Sequence, residues 1–343
     1  MTVKTVKQQE QHPSSAASAV AAELNGRQLE PNRRISLNLE WVEEIRVNTS
    51  AVERRASTID TRRSVKKQWQ AAWLLRAIAC MDLTTLSGDD SAERVKRLCA
   101  KARHPLQDYI VKGLGIEELN LTTGAICVYH SFVETAVKAL EGTNIPVAAV
   151  STGFPAGLSP LAERVQEIRR SVEAGAQEID IVITRAHVFN GEWQALYDEV
   201  AAFKDACGAA HMKAILGTGD LLTLRNVARA SVVAMMAGAD FIKTSTGKEA
   251  VNATIPVSLV MVRAIREYAE RTGFAVGFKP AGGIKTAKQA LAWMYVMKDE
   301  LGRSWLEPGL FRFGASSMLA DIERQLEHYL TGRYSAAYRH PIA

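Results

Sequence analysis

The chain has 343 residues, of which 47% are hydrophobic and 23% are charged. This composition is typical of globular proteins, and the length suffices for one large domain or two smaller ones. The formal charge of +5 comes from residues 1–76, which hold 13 Lys and Arg against 8 Asp and Glu; the remaining residues hold 29 of each. A folded body without net positive charge argues against a nucleic-acid groove.

Neither a membrane segment nor a secretory signal is predicted. The longest apolar runs, such as residues 147–150 and 232–237, are far shorter than the roughly 20 residues that a membrane helix needs. Residues 1–22 contain two lysines but no compact apolar core before a cleavage site. We therefore expect a cytoplasmic protein with no membrane partner. No CxxC pair occurs, which predicts reduced thiols at Cys80, Cys99, Cys127 and Cys207.

The N-terminal part divides into two segments. Residues 1–36 are rich in Gln, Ser, Ala and Asn with little periodic hydrophobicity, which predicts a flexible leader. Residues 37–78 carry Trp and aliphatic side chains at helical spacings, which predicts helices packed over one end of the main domain. We expect residues 79–333 to form that domain and residues 334–343 to form a C-terminal tail.

Eight short apolar runs follow, and most of them precede an amphipathic helical stretch such as residues 161–173. Eight alternations of strand and helix predict a closed (β/α)8 TIM barrel, a fold of the α/β class. A doubly wound open sheet is the alternative, but the glycine-rich fingerprint expected after its first strand is absent. The predicted strands are residues 79–83, 125–129, 147–151, 179–183, 212–216, 241–244, 275–279 and 310–313.

Charged residues stand out at the ends of several predicted strands, where TIM barrels carry their catalytic groups. The sixth and seventh strands end near Lys243 and Lys279. Alternation places Asp180 of the fourth strand on the same face as Glu178, and Lys213 of the fifth strand could pair with it. If these faces point inward, ammonium and carboxylate groups meet at the barrel mouth.

A buried lysine either pairs with an acid or loses its proton, because an isolated ammonium is unfavourable in apolar surroundings. The neutral amine is a nucleophile, and a second cation nearby favours the neutral form. Lys279 could act in this way on Lys243. A lone strand-end lysine more often extends to solvent, and Asp180 could equally form a structural salt bridge or a loop cap. Two lysines on adjacent strands favour the catalytic interpretation.

Two turns rich in glycine and serine indicate a phosphate site. Gly282 and Gly283 precede a helix after the seventh strand, and residues 314–317 precede one after the eighth. Glycines let backbone amides approach an anion, helix N-termini add positive potential, and these two loops are the usual phosphate site of the barrel. Ordinary helix capping would explain either turn alone, whereas both together favour a phosphorylated substrate.

No metal site is predicted. His130, His187 and His211 are scattered along the chain and belong to no HxH or HExxH pattern. A metal-dependent mechanism is therefore disfavoured. The GxSxG motif of hydrolases is also absent.

Six segments of the chain resemble the deoxyribose-phosphate aldolase family. The pair FIKTSTGK and KPAGGI is a highly specific combination, and the likeness runs from about residue 37 to residue 338, nearest to the longer, animal-type branch. The six segments are FIKTSTGK at 241–248, KPAGGI at 279–284, MDLTTLSGDD at 81–90, AICVY at 125–129, EID at 178–180 and GASS at 314–317.

The resemblance implies a class I (Schiff-base) aldolase that reversibly cleaves 2-deoxy-D-ribose 5-phosphate to D-glyceraldehyde 3-phosphate and acetaldehyde in deoxyribonucleotide catabolism, without a metal or an organic cofactor. Lys243 would form the Schiff base and Lys279 would favour its neutral form. Asp180 would act as acid and base through a water and Lys213. The resemblance further implies that the residues near the sugar are Asp82, Thr84 and Cys127. It implies that the residues lining the phosphate site are Thr246, Gly247, Gly282, Gly283, Gly314, Ser316 and Ser317.

Shorter bacterial members of the family end in a tyrosine implicated in proton transfer, and Tyr334 and Tyr338 are the candidates to replace it here. A phosphosugar isomerase, another Schiff-base aldolase or a non-catalytic phosphate-binding barrel are the alternatives. The last would require a lost nucleophile or acid, but Lys243, Asp180 and Lys279 are all present. The sequence leaves the oligomeric state open, a homo-oligomer included.

Overall fold

The structure is a computed structural model that describes residues 22–59, 61 and 65–342. Its N-terminal part consists of three very short strands followed by three helices that lead into the main domain. These are β1 (Glu23–Leu24), β2 (Arg27–Gln28), β3 (Glu30–Pro31), α1 (Leu39–Glu44), α2 (Thr49–Ser57) and α3 (Gln68–Ala79).

Eight parallel strands form the central barrel, which confirms the predicted fold class. The barrel strands are β4 (Met81–Thr84), β5 (Ala125–Tyr129), β6 (Val147–Val150), β7 (Glu178–Val182), β8 (His211–Ile215), β9 (Phe241–Lys243), β11 (Gly277–Lys279) and β12 (Phe313–Gly314), with β10 (Phe274–Ala275) lying outside the barrel. Strands β4 to β9 pair in chain order, β9 pairs with β11, and β12 pairs with β4. Isolated bridges from Phe278 to Phe311 and from Ala281 to Gly314 close the remaining gap.

Ten helices follow or connect the barrel strands and cover them. They are α4 (Ala92–Arg103), α5 (Asp108–Leu114), α6 (Val133–Ala139), α7 (Leu161–Glu173), α8 (Arg185–Asn190), α9 (Trp193–Cys207), α10 (Leu224–Met236), α11 (Ile255–Thr272), α12 (Ala287–Leu301) and α13 (Ser317–Thr331). The covering buries both faces of the strands, so that β6, with the sequence VAAV, is wholly inaccessible to solvent. No helix in the described ranges is long and apolar enough to cross a membrane.

Side-chain caps fix where several of these helices begin. Ser91, Thr223 and Thr254 each accept a hydrogen bond from the backbone N–H three residues ahead, at the starts of α4, α10 and α11. At the start of α12, Thr286 and Gln289 form a reciprocal capping box. Each cap follows a loop at the C-terminal end of a barrel strand, so local sequence sets the length of the loops that build the site.

The predicted flexible leader is corrected in its second half. Residues 1–21 lie outside the described residues, whereas residues 22–36 lie against the barrel. Strand β3 pairs with β10, Leu24 and Leu29 are buried, and the Ile35 N–H donates to the Met236 carbonyl at 2.9 Å. Two buried leucines and the backbone pairing hold this segment in place. The prediction missed them because it relied on the polar composition of the segment as a whole. Helices α2 and α3 pack on α11, α12 and α13, in line with the helical covering predicted for residues 37–78.

The predicted C-terminal tail also contacts the domain. His340 is buried, and its Nε2 lies 2.8 Å from a Glu327 carboxylate oxygen and 2.9 Å from the Ser335 hydroxyl. Glu327 belongs to α13, so the described end of the chain folds back on the last helix of the barrel.

Replacement of Asn32 by Ala tests the docking of residues 22–36. The Asn32 amide donates to the carbonyls of Met235 and Ala239 at 3.0 and 2.8 Å, and its oxygen accepts from the Tyr268 hydroxyl at 3.0 Å. Because the change leaves partly buried groups unpaired, we expect the free energy of unfolding to fall by about 1–3 kcal/mol. Urea denaturation measures it against Asn190→Ala, which removes one exposed hydrogen bond of α8. Equal stabilities would contradict the docking.

Candidate active site

Four basic side chains and three carboxylates meet inside the barrel. None of the seven side chains belongs to a residue that is more than 6% exposed. Parallel register aligns Asp180 with Lys213 and Lys243 with Lys279 on neighbouring strands, which brings groups from distant parts of the chain together. The seven are Asp82 on β4, Glu178 and Asp180 on β7, Lys213 on β8, Lys243 on β9, Lys279 on β11 and Arg312 immediately before β12.

Asp180 lies at the centre of this group and contacts three lysines. Its Oδ2 accepts from Lys243 Nζ and from Lys279 Nζ, each at 2.7 Å. Its Oδ1 accepts from Lys213 Nζ at 3.1 Å. Because Lys243 and Lys279 bind one oxygen, their nitrogens are at most twice 2.7 Å apart. The predicted meeting of two ammonium groups with a carboxylate is therefore confirmed, including the pairing of Lys213 with Asp180.

The remaining contacts extend from both sides of Asp180. Lys279 Nζ also donates to Asp82 Oδ2 at 2.5 Å, and Asp82 Oδ1 accepts from Arg312 Nη1 at 2.6 Å. On the other side, Lys213 Nζ donates to Glu178 Oε2 at 2.5 Å, and Glu178 Oε1 accepts from Arg312 Nη2 at 2.8 Å. Every buried charge in the group therefore has an opposite charge in direct contact, as burial requires.

Burial and pairing act in opposite directions on the protonation of these groups. Burial would raise the pKa of Asp180, but the three lysines outweigh it and hold that pKa well below its usual range. Burial would lower the pKa of Lys279, but Asp180 and then Asp82 outweigh it and raise that pKa. The same balance raises the pKa of Lys213. At neutral pH, Asp180 is therefore a carboxylate, and Lys279 is a fixed cation within reach of Lys243.

Of the residues predicted to lie near the sugar, Asp82 belongs to this network, and Thr84 and Cys127 lie beside it. Cys127 Sγ is 4.0 Å from Asp180 Oδ2, and burial raises the pKa of the Cys127 thiol, which keeps it neutral. The backbone of Thr84 both donates to Ser316 Oγ at 2.9 Å and accepts from it at 2.6 Å. These two bonds join β4 to the start of α13, which links the predicted sugar contacts with one of the predicted phosphate turns.

Three loops converge beyond the network, where the phosphate turns were predicted. Gly247 and Gly282 belong to neighbouring loops, and a Cβ on Gly247 would lie 4.0 Å from the Gly282 Cα. A Cβ on Gly314 would lie only 2.6 Å from the Cβ of Ala281, so glycine permits the close approach of the two strand ends. Gly283 and Ser317 are exposed at the same mouth.

Glu249 is a residue of this mouth that the sequence reasoning missed. Its carboxylate accepts hydrogen bonds from the backbone N–H groups of Thr246 and Gly247 at 3.0 and 3.1 Å, and from the Thr246 hydroxyl at 2.8 Å. Two predicted phosphate contacts therefore already bind a carboxylate of the chain itself. The spacing of three residues between Thr246 and Glu249 is the local signal that could have indicated this turn.

Arg312 was the second omission, and Glu178 was assigned to the inward face but given no role. Arg312 stands between Phe311 and Phe313, both buried. Like Lys243 and Lys279, Arg312 is a charged residue near the end of a predicted strand, so it could have been selected on equal grounds.

The structure separates Tyr334 and Tyr338 from the site. Helix α13 begins at the mouth with Ser317, and its 15 residues lead the chain about 22 Å away from it. Both tyrosines follow the end of this helix, with 58% and 85% of their surface exposed. Neither contacts the charged network, so the idea that one of them replaces the bacterial tyrosine gains no support from this arrangement.

The arrangement suits amine chemistry. Lys243 offers an amine beside a carboxylate that can exchange protons with it, and the adjoining cation opposes a second positive charge. Within the part of the chain that the structure describes, no group of three His, Cys, Asp or Glu side chains is arranged to hold a metal ion.

Comparison with known proteins gives a concordant result. Residues 76–320 match the model of the DeoC/LacD family aldolases. The chain is 58% identical over 313 residues to the deoxyribose-phosphate aldolase of Mus musculus, covering 91% of this chain and 98% of that protein. It is 56% identical over 314 residues to that of Homo sapiens, covering 91% and 99%. The solved deoxyribose phosphate aldolase from Aeropyrum pernix matches with a TM-score of 0.56 at 21% identity, covering 77% and 98%, which supports the fold.

The charged network predicts how stability depends on pH. Burial opposes ionisation of Asp82 and Asp180, yet the cations around them lower the pKa of both. Such groups stabilise the fold above their unfolded pKa of about 3.9, and this contribution is lost as the pH falls through the folded pKa. We expect the free energy of unfolding to be nearly constant from about pH 5 to about pH 8 and to fall below about pH 4.

Urea denaturation across this pH range measures the effect. Asp82→Asn removes one of the carboxylates, so it should be less stable at neutral pH but less sensitive to acid. Asp205→Asn removes a carboxylate whose side chain is 64% exposed and should follow the wild type. An equal acid dependence in all three proteins would show that the network does not control it.

Proposed function

The chain belongs to the DeoC/LacD family of aldolases and has deoxyribose-phosphate aldolase activity, a class I lyase reaction, and on this premise we propose that Lys243 is its nucleophile. The supporting observation is that Lys243 Nζ lies 2.7 Å from Asp180 Oδ2, an oxygen that also binds the fixed cation Lys279. The substrate of this proposal is 2-deoxy-D-ribose 5-phosphate in its open-chain aldehyde form.

In the proposed first step, the neutral amine of Lys243 attacks the aldehyde carbon C1. A carbinolamine forms, and loss of water gives the protonated imine. Asp180 contacts both Lys243 and Lys213, so it can accept a proton from the amine and return one to the departing hydroxyl. Holding the amine against the carbonyl makes the attack effectively unimolecular, which can supply about 7–11 kcal/mol of the barrier.

In the proposed second step, the C2–C3 bond breaks. Asp180, acting through a water and assisted by Lys213, removes the proton of the C3 hydroxyl, and the bonding electrons move into the iminium group. D-glyceraldehyde 3-phosphate leaves, and an enamine remains on Lys243. Protonation of the enamine at C2 gives the acetaldehyde imine, which water hydrolyses to acetaldehyde and the free amine. Lys279 remains charged throughout and opposes protonation of Lys243 between cycles.

Substrate placement follows from the same geometry. The Cys127 thiol is neutral and adjoins Asp180, which supports a place for Cys127, with Asp82 and Thr84, around the sugar chain. The phosphate would occupy the mouth, which lies at the usual phosphate site of the barrel. Its proposed contacts are Thr246, Gly247, Gly282, Gly283, Gly314, Ser316 and Ser317.

An isomerase on the same barrel would share the phosphate loops but would form no covalent bond to lysine. The buried, paired Lys243 favours the imine mechanism over this alternative. The cytoplasmic location and a homo-oligomeric state stay predictions.

Trapping of the imine tests the nucleophile. Sodium borohydride added with acetaldehyde should reduce the imine and leave a stable adduct, which intact-protein mass and peptide mapping locate. We expect the adduct on Lys243, and we expect Lys243→Ala to lose the adduct and on the order of 10³-fold or more in kcat. The matched control is Lys138→Ala, which removes an exposed lysine of α6 and should keep both. An undiminished adduct in Lys243→Ala would disprove the assignment.

Glu249→Gln tests the phosphate placement. A phosphate bound by the Thr246 and Gly247 amides must displace the Glu249 carboxylate, and the two anions repel each other. Glutamine retains an acceptor oxygen but no charge, so we expect inorganic phosphate to compete with substrate about 3- to 10-fold more tightly. Inhibition constants measured for Glu249→Gln and for Glu173→Gln, an exposed control on α7, decide this. Unchanged or weaker inhibition would place the phosphate elsewhere.

A further inference from the structure

Six of the seven buried charged side chains form a closed ring of alternating sign, here called the charge ring. Each member contacts one opposite charge on either side, and the six contact distances lie between 2.5 and 3.1 Å. In order around the ring, the members are Arg312, Asp82, Lys279, Asp180, Lys213 and Glu178.

The charge ring is neutral without Lys243. It contains three cations and three carboxylates, and each carboxylate lies between two ring cations. Lys243 contacts the ring through Asp180 Oδ2, an oxygen that Lys279 also uses. As an ammonium, Lys243 therefore gives the buried cluster one surplus positive charge. Loss of its proton makes the cluster neutral, which is favourable where water is excluded.

Arg312 has a particular place in this balance. A guanidinium keeps its charge at any pH that a protein tolerates, and its planar fork can bind two carboxylates at once. Nη1 lies 2.6 Å from Asp82 on β4 and Nη2 lies 2.8 Å from Glu178 on β7, so Arg312 connects two carboxylates on opposite sides of the barrel interior. No substrate contact is assigned to it, and its effect on Lys243 passes through the ring.

We propose that Arg312 is a positioning residue of the aldolase reaction: by pairing with Asp82 and Glu178 it makes the charge ring neutral, so that no unmatched carboxylate retains the proton of Lys243. This rests on the proposed role of Lys243 as the nucleophile. Without Arg312, the ring carries one surplus negative charge, and the ammonium form of Lys243 is favoured.

The pH dependence of activity reports how the net charge of the ring affects the protonation of Lys243. Several charged and titratable groups face this lysine. Asp180 on β7, Lys213 on β8 and Lys279 on β11 surround it directly or through Asp180, and Asp82, Glu178 and Arg312 complete the ring. Cys127 on β5, whose Sγ lies 4.0 Å from Asp180 Oδ2, is a further titratable group here, and it stays neutral because burial raises the pKa of its thiol.

The test compares single and paired variants of the ring. Arg312→Gln leaves the ring with one surplus negative charge, whereas Glu178→Gln leaves it with one surplus positive charge. The double variant Arg312→Gln/Glu178→Gln restores neutrality, and Arg312→Lys keeps the charge but loses the fork. The measurements are the pH profile of kcat/KM for 2-deoxy-D-ribose 5-phosphate and the pH dependence of borohydride trapping on Lys243.

We expect the acid limb of both profiles to move in opposite directions in the two single variants. It should move to higher pH by about one unit or more in Arg312→Gln and to lower pH by a similar amount in Glu178→Gln. In the double variant and in Arg312→Lys, the limb should lie near that of the wild type, although kcat falls because the geometry is looser.

If Arg312 had a purely structural role, all variants would lose stability and turnover, and the acid limb would stay at the same pH. That outcome, or equal displacement of the limb in Arg312→Lys and Arg312→Gln, would overturn the proposal. If Arg312→Gln does not fold, the shift in Glu178→Gln and its reversal in the double variant decide the matter. If the wild type gives no adduct on Lys243, the proposed nucleophile fails instead, which separates the two hypotheses.

Discussion

The carboxylate of Asp180 is the constraint on which the rest of the site depends. It is wholly buried and accepts from three lysines, two of them at the same oxygen. An isolated carboxylate in this interior would be strongly unfavourable, and so would the three ammonium groups without it. Together they keep several charges ionised in a place that excludes water. The barrel therefore holds an amine, a base and a fixed cation within a few ångströms of each other.

Such a network is weak support for stability, because desolvation offsets most of the attraction between buried ions. The network instead fixes the relative positions of its charged groups. The packed apolar shell of strands and helices stabilises the fold. It holds the seven charged side chains in fixed positions, and these positions decide which groups can exchange a proton. Arg312 illustrates the division: it lies between two buried phenylalanines that belong to the core, while its guanidinium belongs to the site.

The mouth at which we propose that the phosphate binds relies on backbone groups more than on side chains. Glycines at the ends of the strands let three loops approach one another, and helix α13 begins beside them. The carboxylate of Glu249 accepts hydrogen bonds from two backbone N–H donors of this mouth, those of Thr246 and Gly247. If the phosphate binds where we propose, its affinity depends on how much more strongly these donors bind phosphate than they bind the Glu249 carboxylate. Substrate binding then depends on a residue to which no role in bond cleavage is assigned.

The sequence by itself determined the barrel and the positions of its strands to within a few residues, and it predicted most of the residues of the candidate site. These depend on apolar periodicity, on charges that interrupt apolar strands and on glycine-containing turns, all of which are local. The flexible leader predicted from composition was wrong for residues 22–36. Two buried leucines and one strand pairing hold this otherwise polar segment against the barrel.

Only the tertiary structure decided which charges meet. Arg312 binds partners that lie 230 and 134 residues away along the chain, and Lys279 binds Asp82 from 197 residues away. Pairing over such separations depends on the register and closure of the barrel, which set where each side chain ends. No pattern among neighbouring residues records that geometry, so the closed ring and its neutral charge became visible only in the folded chain.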